Sequence, residues 1–67
     1  MTKEEANTAM LQGKKITHIY FSDNEFIYLK NGQIHDENDY NIDIEFWIWR
    51  ADIAWDNDWY LYPYSQK

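Results

Sequence analysis

A chain of sixty-seven residues with no cysteine has no disulfide to hold it together, and this one carries four Trp, six Tyr and three Phe to pack instead. A domain of this size buries only about 60% of the surface its unfolded form exposes. Its core rarely supplies more than about 3–5 kcal/mol. The usual supplements are disulfides, a metal, oligomerisation or dense packing. Without cysteine the first is excluded. Each aromatic ring can bury roughly 150–250 Å², so dense ring packing is expected. The rings exceed what one thin sheet can hide, so a homo-oligomer is expected as well.

The rings and the acids crowd into the same half. From Asn31 to Gln66 the acids are Asp36, Glu37, Asp39, Asp43, Glu45, Asp52, Asp56 and Asp58, and Arg50 is the one fixed cation. Eight acids against one arginine give that stretch a formal −7. All four tryptophans lie in it: Trp47, Trp49, Trp55 and Trp59. The first thirty residues set four lysines against four acids and sum to zero. A core needs rings but does not need eight nearby carboxylates. An acidic field with aromatic anchors points to a surface that recognises something cationic. The net charge of −6 opposes direct contact with nucleic acid or anionic membrane. No apolar run approaches the length of a membrane span, and the charged start Met-Thr-Lys-Glu-Glu lacks the apolar core of a signal peptide.

Along the chain, Thr2 to Glu5 has capping-box spacing, and Gly13 suits a left-handed helix stop. These predict a helix over 3–12, with Ala6, Ala9, Met10 and Leu11 as its apolar stripe. A β-rich run predicts a strand at 16–21, the cluster Ser22-Asp23-Asn24-Glu25 a turn, and 26–30 a second strand. Asn31-Gly32 is a tight-hairpin signal, because both central residues need positive φ, and 33–36 returns as a third strand. Strict alternation predicts a fourth strand over 42–49. It puts Ile42, Ile44, Phe46 and Ile48 on a core face, with Asp43, Glu45, Trp47 and Trp49 opposite. A last strand at 58–62 ends at Pro63, before a frayed tail from Tyr64. The expected architecture is one α+β domain over 1–67, a helix on an antiparallel sheet of four or five strands.

No catalytic constellation appears, so an enzyme is not expected, and neither is a cofactor. The acids from Asp36 to Glu45 mimic a calcium loop, but Ile44 stands where glycine is needed and Arg50 where a bidentate Glu is needed. His18 and His35 lack a third ligand at metal spacing. No metal is therefore expected.

The helix leading into Gly13-Lys14-Lys15-Ile16 with an aromatic at Phe21, and Asp52-Ile53-Ala54 followed by Asp58-Trp59, resemble small phage and prophage proteins of the Thoeris anti-defence type. That family sequesters cyclic nucleotide immune signals. The resemblance implies an oligomer in the cytoplasm of a host bacterial cell, with ligand phosphates held by Lys14, Lys15, Lys30 or Arg50. This chain is short for the family and lacks its middle segments. Its acidic half points to a second phage strategy, in which a small acidic protein docks on the basic groove of a defence nuclease, as anti-CRISPR proteins do. The binding residues would then be Asp43, Glu45, Trp47, Trp49 and Arg50. A structural or assembly module of a mobile element, with no ligand, is the alternative.

Overall fold

A computed structural model describes residues 1–43 and 45–63. The expected core position Ile44 and the expected tail at 64–67 lie outside the described residues. Helix α1 (Lys3–Leu11) opens the chain. Strands β1 (Ile16–His18), β2 (Ile27–Lys30), β3 (Gln33–Asp36) and β4 (Trp59–Leu61) follow, with a 3₁₀ turn at Ile53–Trp55 before β4. The strands form one antiparallel sheet in the order β3-β2-β1-β4. The fold is α+β, as the sequence predicts.

Helix α1 begins where its cap dictates. The Thr2 hydroxyl accepts from the Glu5 amide at 3.1 Å, and the Glu5 carboxylate accepts from the Thr2 amide at 2.8 Å. The two bonds satisfy two backbone donors reciprocally. They also hold the Glu5 carboxyl below its ordinary range. Gly13 ends the helix at φ 86°, a conformation that suits glycine. Ala6, Ala9 and Met10 are buried against the sheet, while Leu11 falls outside the stripe and is 78% exposed. The hairpin between β2 and β3 turns on Asn31 (φ 55°) and Gly32 (φ 76°), in register from Lys30↔Gln33 to Ile27↔Asp36.

Strand β1 is shorter than the alternation implies, and His18 is the reason. Its Nδ1 accepts from the Tyr20 amide at 3.1 Å, and the Phe21 amide donates back to the His18 carbonyl at 2.9 Å. The backbone therefore turns after His18. With Nδ1 accepting, Nε2 carries the proton and donates to the Asn57 carbonyl at 2.8 Å. The fully buried imidazole lies 4.4 Å from the Trp55 ring and 4.6 Å from the Trp59 ring. Trp59 sits at 0% exposure and donates its indole N–H to the Trp55 carbonyl at 2.9 Å. At about 25 cal/mol per Å², a ring of this size contributes roughly 4–6 kcal/mol of transfer free energy. Phe21, Ile16, Ile27, Ile34 and Phe46 complete the core.

Among the described residues of 42–49 the expected strand does not form. The chain pairs with the outer edge of β3 only briefly: Asp36 N–H donates to Tyr40, His35 bridges Asn41, and Ile42 N–H donates to Ile34. A continuing ladder would next take the Ile34 amide onto the carbonyl of residue 42. Instead the Asp43 carboxylate takes it at 3.0 Å, while the Asp43 amide closes an Asx turn on the Asn41 side chain. The ladder is thereby capped. The chain coils into turns, with Trp49 N–H on the Glu45 carbonyl and Arg50 N–H on the Trp47 carbonyl. The period-2 pattern was real, but the local Asx turn and the Asp43 bond across to β3 overrode it.

Candidate functional site

The coiled segment after Asp43 leaves a cleft of about 630 Å³ between itself and the sheet. Its apolar floor is Phe21, Ile27, Ile42 and Phe46. Four carboxylates line it: Glu25 before β2, Asp36 and Glu37 at the end of β3, and Glu45 on the coil. Arg50 is its one cation, so four acids less one arginine leave a formal −3. Trp49 forms part of the wall and is 73% exposed.

Local structure fixes most of these groups. Glu25 Oε1 accepts from the Ser22 amide at 3.1 Å within the 22–25 turn. Asp36 Oδ1 accepts from the Asn38 and Tyr40 amides at 2.9 and 3.0 Å. Glu45 lies one helical turn before Trp49, so its Oε2 accepts the indole N–H at 3.2 Å. That bond ties the indole edge to Glu45 and leaves the ring exposed.

Arg50 is held by rings more than by acids. Its guanidinium lies 4.2 Å from the Phe46 ring centre, 5.1 Å from Trp55 and 5.7 Å from Phe21. Nη1 donates to the Phe46 carbonyl at 3.3 Å, while the buried Nε has no partner. Desolvation lowers its pKa, and the field of Glu25 opposes that shift. No carboxylate comes within ion-pair distance of it among the described residues. The cation is therefore retained by quadrupole attraction and by a diffuse acidic field.

Of the five residues expected to bind together, Glu45, Trp49 and Arg50 line the cleft. Asp43 and Trp47 do not share a face with them, because the strand that would have aligned the set is absent. Asp43 is spent on Ile34. Trp47 packs edge-on against Phe46 at 4.8 Å and near Trp59 at 5.5 Å, with the Lys3 ammonium 5.4 Å from its ring. Lys14, Lys15 and Lys30 are dispersed. Lys14 borders a separate hollow between α1 and Leu61, Lys15 lies 4.8 Å from the Phe26 ring, and Lys30 pairs with Asp39 at 2.7 Å. Asp36 and Glu37 were legible only as part of the acid excess, and Glu25 only as a turn residue. Their convergence depends on where β3 ends and the coil begins.

Among the described residues no group of three His, Asp or Glu is placed to hold a metal ion, and no helix is long and apolar enough to cross a membrane. Comparison with family models, with curated proteins and with solved structures finds no match. The likeness to Thoeris anti-defence proteins therefore rests on the short motifs alone.

Proposed function

We propose that this chain is a non-catalytic binding protein that docks on a basic surface of another protein through its carboxylate-rimmed cleft. The observation that carries this reading is the convergence of Glu25, Asp36, Glu37 and Glu45 around an apolar floor beside the exposed Trp49. Low-dielectric walls focus the field of such a lining and steer a cationic partner toward it. The exposed ring supplies an anchor of the kind that dominates interface energetics. In the setting the sequence resemblance implies, the partner would be a defence nuclease in a bacterial cytoplasm. The protein would then inhibit immunity by covering the nuclease's basic groove.

Sequestering a small cyclic nucleotide fits this geometry less well. Its phosphates would need several cations in one place, and Lys14, Lys15 and Lys30 lie away from the cleft that Arg50 lines. A ligand-free assembly module is favoured by a different observation: Leu11, Ile48 and Ile53 are 78%, 68% and 81% exposed. Under that reading these side chains would be buried between copies. Sedimentation at tens of micromolar separates the two, since a strict monomer removes the assembly role and leaves the cleft.

The test of the docking reading is association kinetics with a basic candidate partner at low and physiological salt. Wild type should associate fast at low salt and much more slowly when charges are screened over about 8 Å. Glu37→Lys should slow association without altering the fold, because Glu37 is an exposed loop residue. Rates independent of salt, or Glu37→Lys binding like wild type, would remove the docking function from this cleft.

A further inference from the structure

Resting on that reading, we propose that the group the cleft recognises is an arginine side chain of the partner, its guanidinium stacked on the open face of Trp49 and its N–H groups turned to the cleft carboxylates.

The first ground is the state of Trp49. A lone exposed tryptophan needs no explanation. This one borders a cleft of formal −3 and is fixed to Glu45 twice, through the indole N–H and the backbone N–H, each at 3.2 Å. The indole N–H is already used inside the protein, so what the ring offers a partner is its π-face. A π-face beside carboxylates attracts a cation and gives little to an anion or a neutral chain.

The second ground is the acceptor capacity around it. The turn bonds engage one oxygen of Glu25 and one of Asp36. A carboxylate offers about four acceptor sites, so these bonds orient the groups and leave capacity for more. Several acceptors around one ring match a donor with several N–H groups in a plane. Arginine presents five in a rigid fork, is weakly hydrated and stacks on aromatic faces, while lysine is a strongly hydrated point charge.

The third ground is that the chain already accommodates one guanidinium against aromatic rings in this environment, the field of Glu25 offsetting part of its desolvation. The Arg50 guanidinium lies over Phe46 within reach of Trp55 and Phe21, and among the described residues it makes one hydrogen bond and meets no carboxylate at ion-pair distance. Rings and a diffuse acidic field offset much of its desolvation. A second guanidinium on the solvent side of the cleft meets the same field and a ring not yet occupied by a cation. Arg50 repels it, but four carboxylates outweigh one arginine.

The experiment titrates the whole chain with three acetylated, amidated Gly-Ser hexapeptides bearing two arginines, two lysines or two citrullines. Indole N–H resonances are followed by NMR at low and physiological salt. The arginine peptide should bind most tightly, move the Trp49 indole resonance and exceed the lysine peptide by about two- to fivefold, the range expected of a cation stacked at an exposed site. Citrulline should not bind measurably. Trp49→Ala should erase the arginine preference and Trp49→Phe should keep part of it. Both should retain the fold, because the ring is outside the core. Equal binding of arginine and lysine peptides, unaffected by Trp49→Ala, would overturn the arginine proposal and leave an acidic docking cleft standing. Citrulline binding as well as arginine would overturn it too. If no peptide moves any cleft resonance even at low salt, both the proposal and the docking function fall.

Discussion

Replacing Arg50 with methionine keeps an unbranched stem of similar reach and removes the charge, so it isolates what the guanidinium does for the fold. Two terms favour the cation. Stacking over Phe46 at 4.2 Å, with two further rings inside 6 Å, contributes about 0.5–1 kcal/mol at a partly exposed site. The 3.3 Å bond to the Phe46 carbonyl is long and contributes about 0.5 kcal/mol. One term opposes it: the buried, unpartnered Nε costs about 1–3 kcal/mol in lost solvation. The terms nearly cancel. Arg50→Met should therefore lie within about 1 kcal/mol of wild type in urea unfolding followed by tryptophan fluorescence. Arg50→Ala also removes the stem that packs over the rings and should cost about 1–2 kcal/mol more. The binding consequence has the opposite sign. Removing the cation takes the cleft from a formal −3 to −4. At about 8 Å in water one unit charge is worth roughly 0.5 kcal/mol, so a basic partner should bind about twofold more tightly at low salt. A loss of more than 3 kcal/mol in Arg50→Met would show that the guanidinium is a structural keystone. A weakened basic partner would show that Arg50 contacts an anionic group instead.

Three further outcomes are expected. Trp59→Ala should cost about 3–5 kcal/mol, which equals the whole core contribution of a chain this small; loss of native tertiary signal checks it, and a cooperative unfolding transition near the wild-type midpoint would refute it. Asp43→Ala leaves the Ile34 amide without its carboxylate partner and should cost about 1–2 kcal/mol, with Ile34 amide exchange accelerated more than that of Leu29. Asp39 is held below its ordinary 3.8 first by the Lys30 ammonium and then by the Tyr28 hydroxyl, while Tyr28 is raised above its ordinary 10.0 by that carboxylate. A depressed carboxylate stabilises above its unfolded pKa and loses that stabilisation as pH falls through the folded value. A raised tyrosine stabilises below its unfolded pKa and loses it as pH rises through the folded one. The stability difference between wild type and Asp39→Asn should therefore be full near neutrality, shrink below about pH 3.8 and shrink again above about pH 10. A difference that is flat from pH 2 to pH 11 would refute the coupling.

Where one local rule governed, the sequence was a sufficient guide. The Thr2–Glu5 box, the Gly13 stop and the Asn31-Gly32 turn each involve residues within a few positions of one another, and each appears as its chemistry requires. Strand β3 at Gln33–Asp36 follows from the hairpin register. His18 was less legible. Its alternation suited a longer β1, and nothing in the run from Ile16 to Phe21 announces that the imidazole will accept from Tyr20 and reach across to Asn57. That second bond spans thirty-nine positions, a contact only tertiary packing can create.

The segment over 42–49 explains why the candidate site was legible in composition but not in arrangement. Its alternation is the most regular in the chain, and read alone it puts Asp43, Glu45, Trp47 and Trp49 side by side. Asp43 decides otherwise by taking the Ile34 amide, a choice made across nine residues that no period in the segment encodes. Once the ladder is capped, residues 45–50 coil, and a coil sorts side chains by threes and fours where a strand sorts them by twos. Trp47 goes to the core and Trp49 to the rim, while Glu45 turns to Trp49. A fifth strand alongside β3 would have paired that edge and carried Glu45 and Arg50 away along it. The capped edge instead brings them over Asp36 and Glu25, and the cleft exists because the strand does not. Under the proposed docking role the acid excess sets the charge of the partner, while a single carboxylate outside the cleft sets where Glu45, Trp49 and Arg50 stand.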